Sequence, residues 1–305
     1  MNPVAALLLS LLPAASCSAQ TPTAPDTLAQ TLLVEERFED QNWAARGWYD
    51  SPRMQITDQE HLPESGHACV WHWPKTGAIN TEGGSARLHL PPVESVTLDF
   101  YLKHSANWQW TGVDWHPHEF NLLTSEDDPF VGPASTHLTF YVEVVNGRPR
   151  LAIQDGENID EKRVGQNLVG VTEARSVAGC NGDADGYGEG NCYQNGTIHA
   201  NGKYWQADQV YFGPTPGPHY QGDWHHVRAR FKLNSIKDGI GVKDGILQYW
   251  FDGKKLLDER QVVFRTGQHP HMKIDQLLMG PYYGPGVPHE QWIWIDDLRI
   301  YTDAE

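Results

Sequence analysis

From Leu33 onward, the regular stretches of this chain alternate apolar and polar residues with a period of two. Val96-Thr97-Leu98-Asp99-Phe100-Tyr101-Leu102-Lys103 places Val96, Leu98, Phe100 and Leu102 on one side and Thr97, Asp99, Tyr101 and Lys103 on the other. That is the signature of a half-buried strand. Leu138 to Val145 repeats it, with Leu138, Phe140, Val142 and Val144 facing one way and Thr139, Tyr141 and Glu143 the other. His226 to Leu233 is a third case, with Arg228, Arg230 and Lys232 together on the polar side. Further strands are predicted at 246–252, 260–265, 274–280 and 291–301. Between them fall turn signals, Asn146-Gly147, Asp252-Gly253 and Lys243-Asp244-Gly245. No segment carries a helical stripe with a cap at each end. Many strands at short spacing with few helices predict an all-β sandwich or barrel.

The N-terminal end breaks this pattern. Met1 to Ala19 has no charge, a core of Leu7, Leu8, Leu9, Leu11 and Leu12, and the small-residue end Ala14-Ala15-Ser16-Cys17-Ser18-Ala19. It is too short to span a bilayer as a helix and reads as an export signal. Cleavage after Ala19 would release a secreted or periplasmic protein; cleavage before Cys17, which follows Ala-Ala-Ser like a bacterial lipobox, would leave a lipid-anchored one at the cell surface. Residues 20–32 read as a tether and 33–305 as one domain, with no linker or internal repeat dividing it. No later stretch is apolar for long enough to cross a membrane as a helix. A monomer is expected.

The formal charge of −16 resides outside the signal. So acidic a chain argues against nucleic acid and against anionic membranes as partners. Cys180 and Cys192 bracket a Gly-rich turn, and an exported protein permits a disulfide there; two reduced thiols are the alternative. Cys69, in an apolar stretch, is expected to be buried. Within the same turn, Asp183, Asp185 and Glu189 offer oxygen ligands of the kind a structural calcium takes, against the plainer reading of a solvated acidic loop. Twelve Trp and twelve Tyr exceed what a core of this size needs. Aromatic faces stack on sugar rings, and Tyr, Asn, Gln and His add directional hydrogen bonds, so polysaccharide or oligosaccharide is the expected partner. Trp108, Trp110 and Trp115 lie in the polar segment Asn107 to His118 and are the cleft candidates; Trp224, Trp250 and Trp294 read as core or rim.

Gly222-Asp223-Trp224-His225-His226-Val227, then Leu247-Gln248-Tyr249-Trp250-Phe251-Asp252-Gly253-Lys254, then Trp294-Ile295-Asp296-Asp297-Leu298-Arg299-Ile300 resemble the back half of concanavalin A-like lectin/glucanase jelly rolls. Within that superfamily the chain is most similar to the heparinase-, glucuronan- and alginate-lyase-type polysaccharide lyases, over residues 33 to 303. The resemblance implies a β-jelly-roll sandwich of two antiparallel sheets and β-elimination on a uronic-acid-containing glycan, with no cofactor required. His116-Pro117-His118 matches a "Q-x-H" strand of jelly-roll alginate lyases, and Leu278-Met279-Gly280-Pro281-Tyr282 a "K-x-G-x-Y" strand. This implies His118 as base or carboxylate neutraliser and Tyr282 as base and acid in turn. His116 stands where Gln is usual and Leu278 where Lys is usual. No Arg-rich strand motif is visible, and Tyr101-Leu102-Lys103-His104 is the segment expected in its place.

On this reading Lys103, Tyr101, His116, Asn121, Tyr141 and Trp110 line the substrate site. Lys103, Tyr101 and Tyr141 could equally belong to a solvated outer face, and Tyr282 to a packed loop. Arg148 and Arg150 beside the Asn146-Gly147 turn read as solubilising residues, with carboxylate binding the lesser option. No E-x-D-x-x-E strand sets paired carboxylates across a glycosidic bond, which argues against a hydrolase. A non-catalytic, lectin-like binder is the alternative from another class.

Overall fold

The computed structural model describes residues 29–74, 85–113, 118–132, 136, 138–155, 192–195, 198–265, 270–283 and 286–304. Two antiparallel eight-stranded sheets make up the body. In spatial order, the first sheet runs β16 (Lys254–Val262), β15 (Gly245–Phe251), β12 (His225–Lys232), β6 (Ser95–His104), β18 (Gln291–Asp303), β4 (Ala68–Trp73) and β3 (Gln55–Thr57), with β1 (Gln30–Glu36) also paired to β18. The second runs β10 (Cys192–Asn195), β11 (Ile198–Gln206), β9 (Arg148–Asp155), β8 (Thr139–Val145), β7 (His118–Leu123), β17 (Ile274–Tyr282), β5 (Ala86–Val93) and β2 (Trp48–Tyr49). A small hairpin of β13 (Ile236–Lys237) and β14 (Ile240–Gly241) stands apart.

The period-two pattern decides which face each strand buries. Leu98, Phe100 and Leu102 of β6, Val227, Ala229 and Phe231 of β12, and Leu247, Tyr249 and Phe251 of β15 line the inner face of the first sheet. Phe120 and Leu122 of β7, Phe140, Val142 and Val144 of β8, and Leu277 and Met279 of β17 answer from the second. Phe100 meets Phe120 with ring centroids 4.5 Å apart, and Phe140 meets Phe231 at 4.9 Å, so the core is the layer between the sheets. Cys69 is fully buried within it.

The resemblance motifs turn out to hold this frame together. Asp252, opening the Asp252-Gly253 turn, accepts the His226 backbone N–H at 2.8 Å, and its other oxygen lies 2.8 Å from His225 Nδ1. On β18, Ile293 and Ile295 face the core, and so do Leu298 and Ile300. That change of phase comes from a register shift between Asp296 and Arg299, with Asp297 at φ 49°. Paired aspartates there make a bulge: buried Asp296 is freed to accept the Leu62 N–H at 2.9 Å.

Two boundaries differ from expectation. The tether predicted to end at 32 gives way earlier, because Gln30, Thr31 and Leu32 pair with Asp303, Thr302 and Tyr301. The strand predicted at 260–265 runs 254–262, since the tight turn starts it at Lys254 and its exposed edge position removes the alternation. Cys180 lies outside the described residues and Cys192 is described by its backbone alone, so the expected disulfide falls outside them, as do Asp183, Asp185 and Glu189. Among the described residues no helix is long and apolar enough to cross a membrane.

Candidate functional site

From β2 to β9 the outward face of the second sheet is largely polar. Strand pairing aligns Tyr49, Arg87, Leu278, Asn121, Tyr141, Ala152 and Tyr204 as one rung running from β2 to β11. On one side of it lies His89-Gln276-Leu123-Thr139-Gln154, and on the other Glu143 paired with Arg150. Although they face away from the apolar core, Arg87, Asn121, Tyr141, Glu143, Arg150, Gln154 and Gln276 are all buried. Buried polar groups outside a core are costly unless hydrogen-bonded. Most here are.

At one end of this face a chain of contacts centres on Glu143. His118 Nδ1 lies 2.5 Å from Glu143 Oε1, while Arg150 Nε donates to Oε2 at 2.7 Å. Burial works to raise the Glu143 carboxyl, but the Arg150 charge and the hydrogen bonds with Arg150 and His118 outweigh it and hold the group below its ordinary range. The His118 ring also leans on Tyr141, 4.7 Å between centroids, and Tyr141 donates its hydroxyl proton to Gln154 Oε1 at 2.5 Å. Arg150 sits over the Tyr204 ring at 5.2 Å. His118 and Tyr282 are cross-strand partners of β7 and β17, next to a bulge after Met279. Directly opposed residues present their side chains on one face. The two residues for which the resemblance implies proton transfer therefore lie opposite each other on adjacent strands.

Nearer the β2 edge, Arg87 supplies the cation that sequence reading missed. Its Nε bonds Asp50 Oδ2 at 2.8 Å and its Nη1 bonds Gln276 Oε1 at 2.5 Å and the Val131 carbonyl at 2.8 Å. Beside it Tyr49 stacks on His89, 4.5 Å between centroids and 11° from parallel. Arg87 stands alone in Ala-Arg-Leu-His-Leu, with no motif to single it out, and the adjacency of β5 to β17 carries it into the polar face. Asn121 holds the middle of the rung, and its buried Oδ1 has no hydrogen-bond partner among the described residues. Arg150 was read as a solubilising hairpin residue, whereas it is buried against Glu143.

Other expected members lie elsewhere. Lys103 and Tyr101 project from the outer face of the first sheet, opposite Leu98, Phe100 and Leu102. There Lys103 pairs with Glu60 at 2.6 Å and Tyr101 leans on His226, 4.9 Å between centroids. The core separates them from His118, so they cannot share its site, and the Tyr101–His104 segment does not stand in for an arginine strand. Trp110 and Trp108 are not a cleft either. Trp108 is buried, and both rings pack edge-on around His104, 4.8 and 5.0 Å away, at the end of the core. The polar look of segment 107–118 hid this, because the partners Tyr283, Trp73 and Phe212 come from remote parts of the chain. His116 and Trp115 lie outside the described residues.

Comparison with known proteins agrees with this architecture. The polysaccharide lyase family model matches residues 181–299. The structure of alginate lyase vAL-1 from Chlorella virus superposes with a TM-score of 0.54 at 11% identity, covering 89% of this chain and 100% of that one. The marine PL-14 alginate lyase from Aplysia kurodai gives 0.50 at 9% identity, covering 89% and 99%. These likenesses establish the jelly-roll fold. No curated protein sequence matches the chain.

Proposed function

We propose that this chain is a polysaccharide lyase that cleaves a uronic-acid-containing polysaccharide by β-elimination, acting outside the cell after export. One observation carries the reading: His118 and Tyr282 are paired across adjacent strands on a polar, shielded face that also holds Asn121 and Arg87. The family match over 181–299 and the alginate lyase likenesses support it.

The chemistry needs no redox partner. A base takes the C5 proton beside the sugar carboxylate, the electron pair forms the C4=C5 double bond, and the C4–O4 bond breaks as its oxygen takes a proton. With Nδ1–H donated to Glu143, the His118 lone pair sits on Nε2, the nitrogen that accepts the C5 proton. The Tyr282 hydroxyl protonates the leaving oxygen. Asn121 and Arg87 face the carboxylate and offset the charge that builds on it as C5 loses its proton. Strand rise of ~3.4 Å per residue sets Asn121 roughly 10 Å from His118 along β7, a gap that one sugar ring and two side chains bridge.

Incubation with a panel of polyuronates, read by the ultraviolet absorbance of the unsaturated product, is the test. His118→Ala and Tyr282→Phe are each expected to lower turnover by about 10²–10⁴-fold. Folded wild-type protein that yields no unsaturated product from any polyuronate would sink the reading. A lectin-like binder is the second reading, favoured by the exposed rings of Phe130 (63%) and Tyr204 (37%). It predicts glycan binding that survives both substitutions while the parent forms no product.

A further inference from the structure

His118 stands on the wrong side of its strand for simple alternation. Phe120 and Leu122 face the apolar core, so strict period-two geometry would turn His118 inward with them and Glu119 outward beside Asn121. The reverse is found. His118 touches Tyr141 and Glu143 on the polar face. Glu119 is buried and accepts a hydrogen bond at 3.0 Å from the hydroxyl of Tyr283, a core residue packed against Trp73 and Trp108. Its other oxygen accepts the Val144 backbone N–H at 3.1 Å. The regular β7–β8 pairing spans only Phe120–Leu123 against Thr139–Val142. Where that ladder stops, the Glu119 carboxyl takes over a backbone donor that would otherwise be buried without an acceptor.

We propose that Glu119 is the positioning residue of this site: by plugging inward it inverts the strand at 118–119 and delivers the His118 imidazole to the polar face. The role rests on His118 being the proton carrier, but the geometry is testable without that premise. Among the described residues, the titratable side chains that face Glu119 are Glu143 from β8, His118 from β7, Tyr283 just after β17 and Tyr249 from β15. Burial first, and then the neighbouring Glu143 charge, push Glu119 up to about 8, against the hydrogen bonds from Tyr283 and Val144. Two adjacent carboxyls thus divide the work. Arg150 and His118 keep Glu143 ionised, while Glu119 stays protonated beneath it.

A glutamine can replace a neutral acid here: its carbonyl can accept from Val144, and its amide, like the O–H of the acid, can donate to a Tyr283 hydroxyl turned to accept; a leucine can do neither. The test compares Glu119→Gln and Glu119→Leu with wild type by imidazole ¹⁵N NMR of His118, assigned through His118→Ala, and by denaturant unfolding from about pH 5 to about pH 8. E119Q is expected to keep the His118 signature. It should also gain stability relative to wild type as pH rises, since only the wild-type native state must hold a proton that its unfolded chain releases. E119L is expected to shift the His118 resonances, and on a cleaved uronate to lose kcat by about 100-fold with little change in KM. The acid role is overturned if E119Q and wild type track each other at every pH. The positioning role is overturned if E119L leaves the His118 resonances in place. Should E119L not fold, Tyr283→Phe, which removes one of the two anchors, takes its place with the same two outcomes for the resonances. If no polyuronate is cleaved by wild type, the lyase reading fails while the NMR and stability results still decide the part played by Glu119.

Discussion

At Glu143 a single buried carboxylate serves two neighbours, the imidazole of His118 and the guanidinium of Arg150. The geometry orders the roles. Arg150 stabilises the negative charge, and the charge in turn holds the His118 ring in one orientation and one tautomer. Glu143→Gln deprives Arg150 of its carboxylate inside a shielded layer, so it is expected to cost about 3 kcal/mol of stability by denaturant unfolding. It is also expected to lower turnover on a cleaved polyuronate by about 10²-fold or more, because an amide presents either the wrong group or a weaker acceptor to His118. The two-residue Asn146-Gly147 turn already sets Glu143 opposite Arg150. What the local pattern does not show is that His118, from another strand, reaches the same carboxylate.

The elements owe much to their turns. Asn146 and Gly147 have φ of 50° and 76°, and Asp252 and Gly253 have 47° and 77°, so both hairpins use the left-handed pair that matches strand twist. The two glycines differ in surroundings. A Cβ on Gly147 would lie 2.6 Å from the Phe212 carbonyl oxygen and 2.9 Å from Val210, whereas one on Gly253 would meet nothing within 4 Å. Moreover, the Gly147 carbonyl accepts N–H groups from Tyr211 and Phe212. Gly253→Ala should therefore cost only the conformational term, about 1 kcal/mol, and Gly147→Ala clearly more than about 2 kcal/mol, both read by denaturant midpoints. These strands and turns were plain in the sequence: the period-two runs at 96–103, 138–145 and 226–233 became β6, β8 and β12. Less plain were β5 and β9. Their short alternations carry Pro, Arg or Gln at positions that only their neighbours make interior or polar-facing.

Over the whole molecule, two of the buried titratable groups are expected to give opposite slopes of stability with pH, with Glu143 adding to the acid side at lower pH. His104 is enclosed by Trp108, Trp110 and Phe212, and burial, with a smaller contribution from the His225 charge, lowers it from 6.5 to about 3. As pH falls below about 6.5 the unfolded chain takes up a proton that the native state refuses until about 3, so stability declines toward acid through that window. Glu119, raised from 4.5 to about 8, acts the other way, and its share of stability is complete below about 4.5 and is lost as pH rises toward 8. Between 4.5 and 6.5 the two oppose each other. His104→Phe, an apolar ring in an aromatic enclosure, is expected to flatten the acid limb and leave the alkaline limb unchanged in unfolding experiments from about pH 4 to about pH 8. An acid limb that stays as steep in the variant would show that His104 is not its source.

The sequence by itself determined the all-β body, the strands with the clearest alternation and the hairpin turns. Those properties are local: a period of two and a left-handed turn residue. Only the tertiary structure decided which polar residues share a face, because alternation gives two faces per strand and says nothing about which neighbour lies alongside. Thus Lys103 and Tyr101, as regular in pattern as Tyr141, fall on the far side of the core, while Arg87 and Arg150 join His118. At 118–119 the tertiary contacts override alternation altogether, since a buried carboxyl anchored by Val144 and Tyr283 outweighs the local preference of the strand.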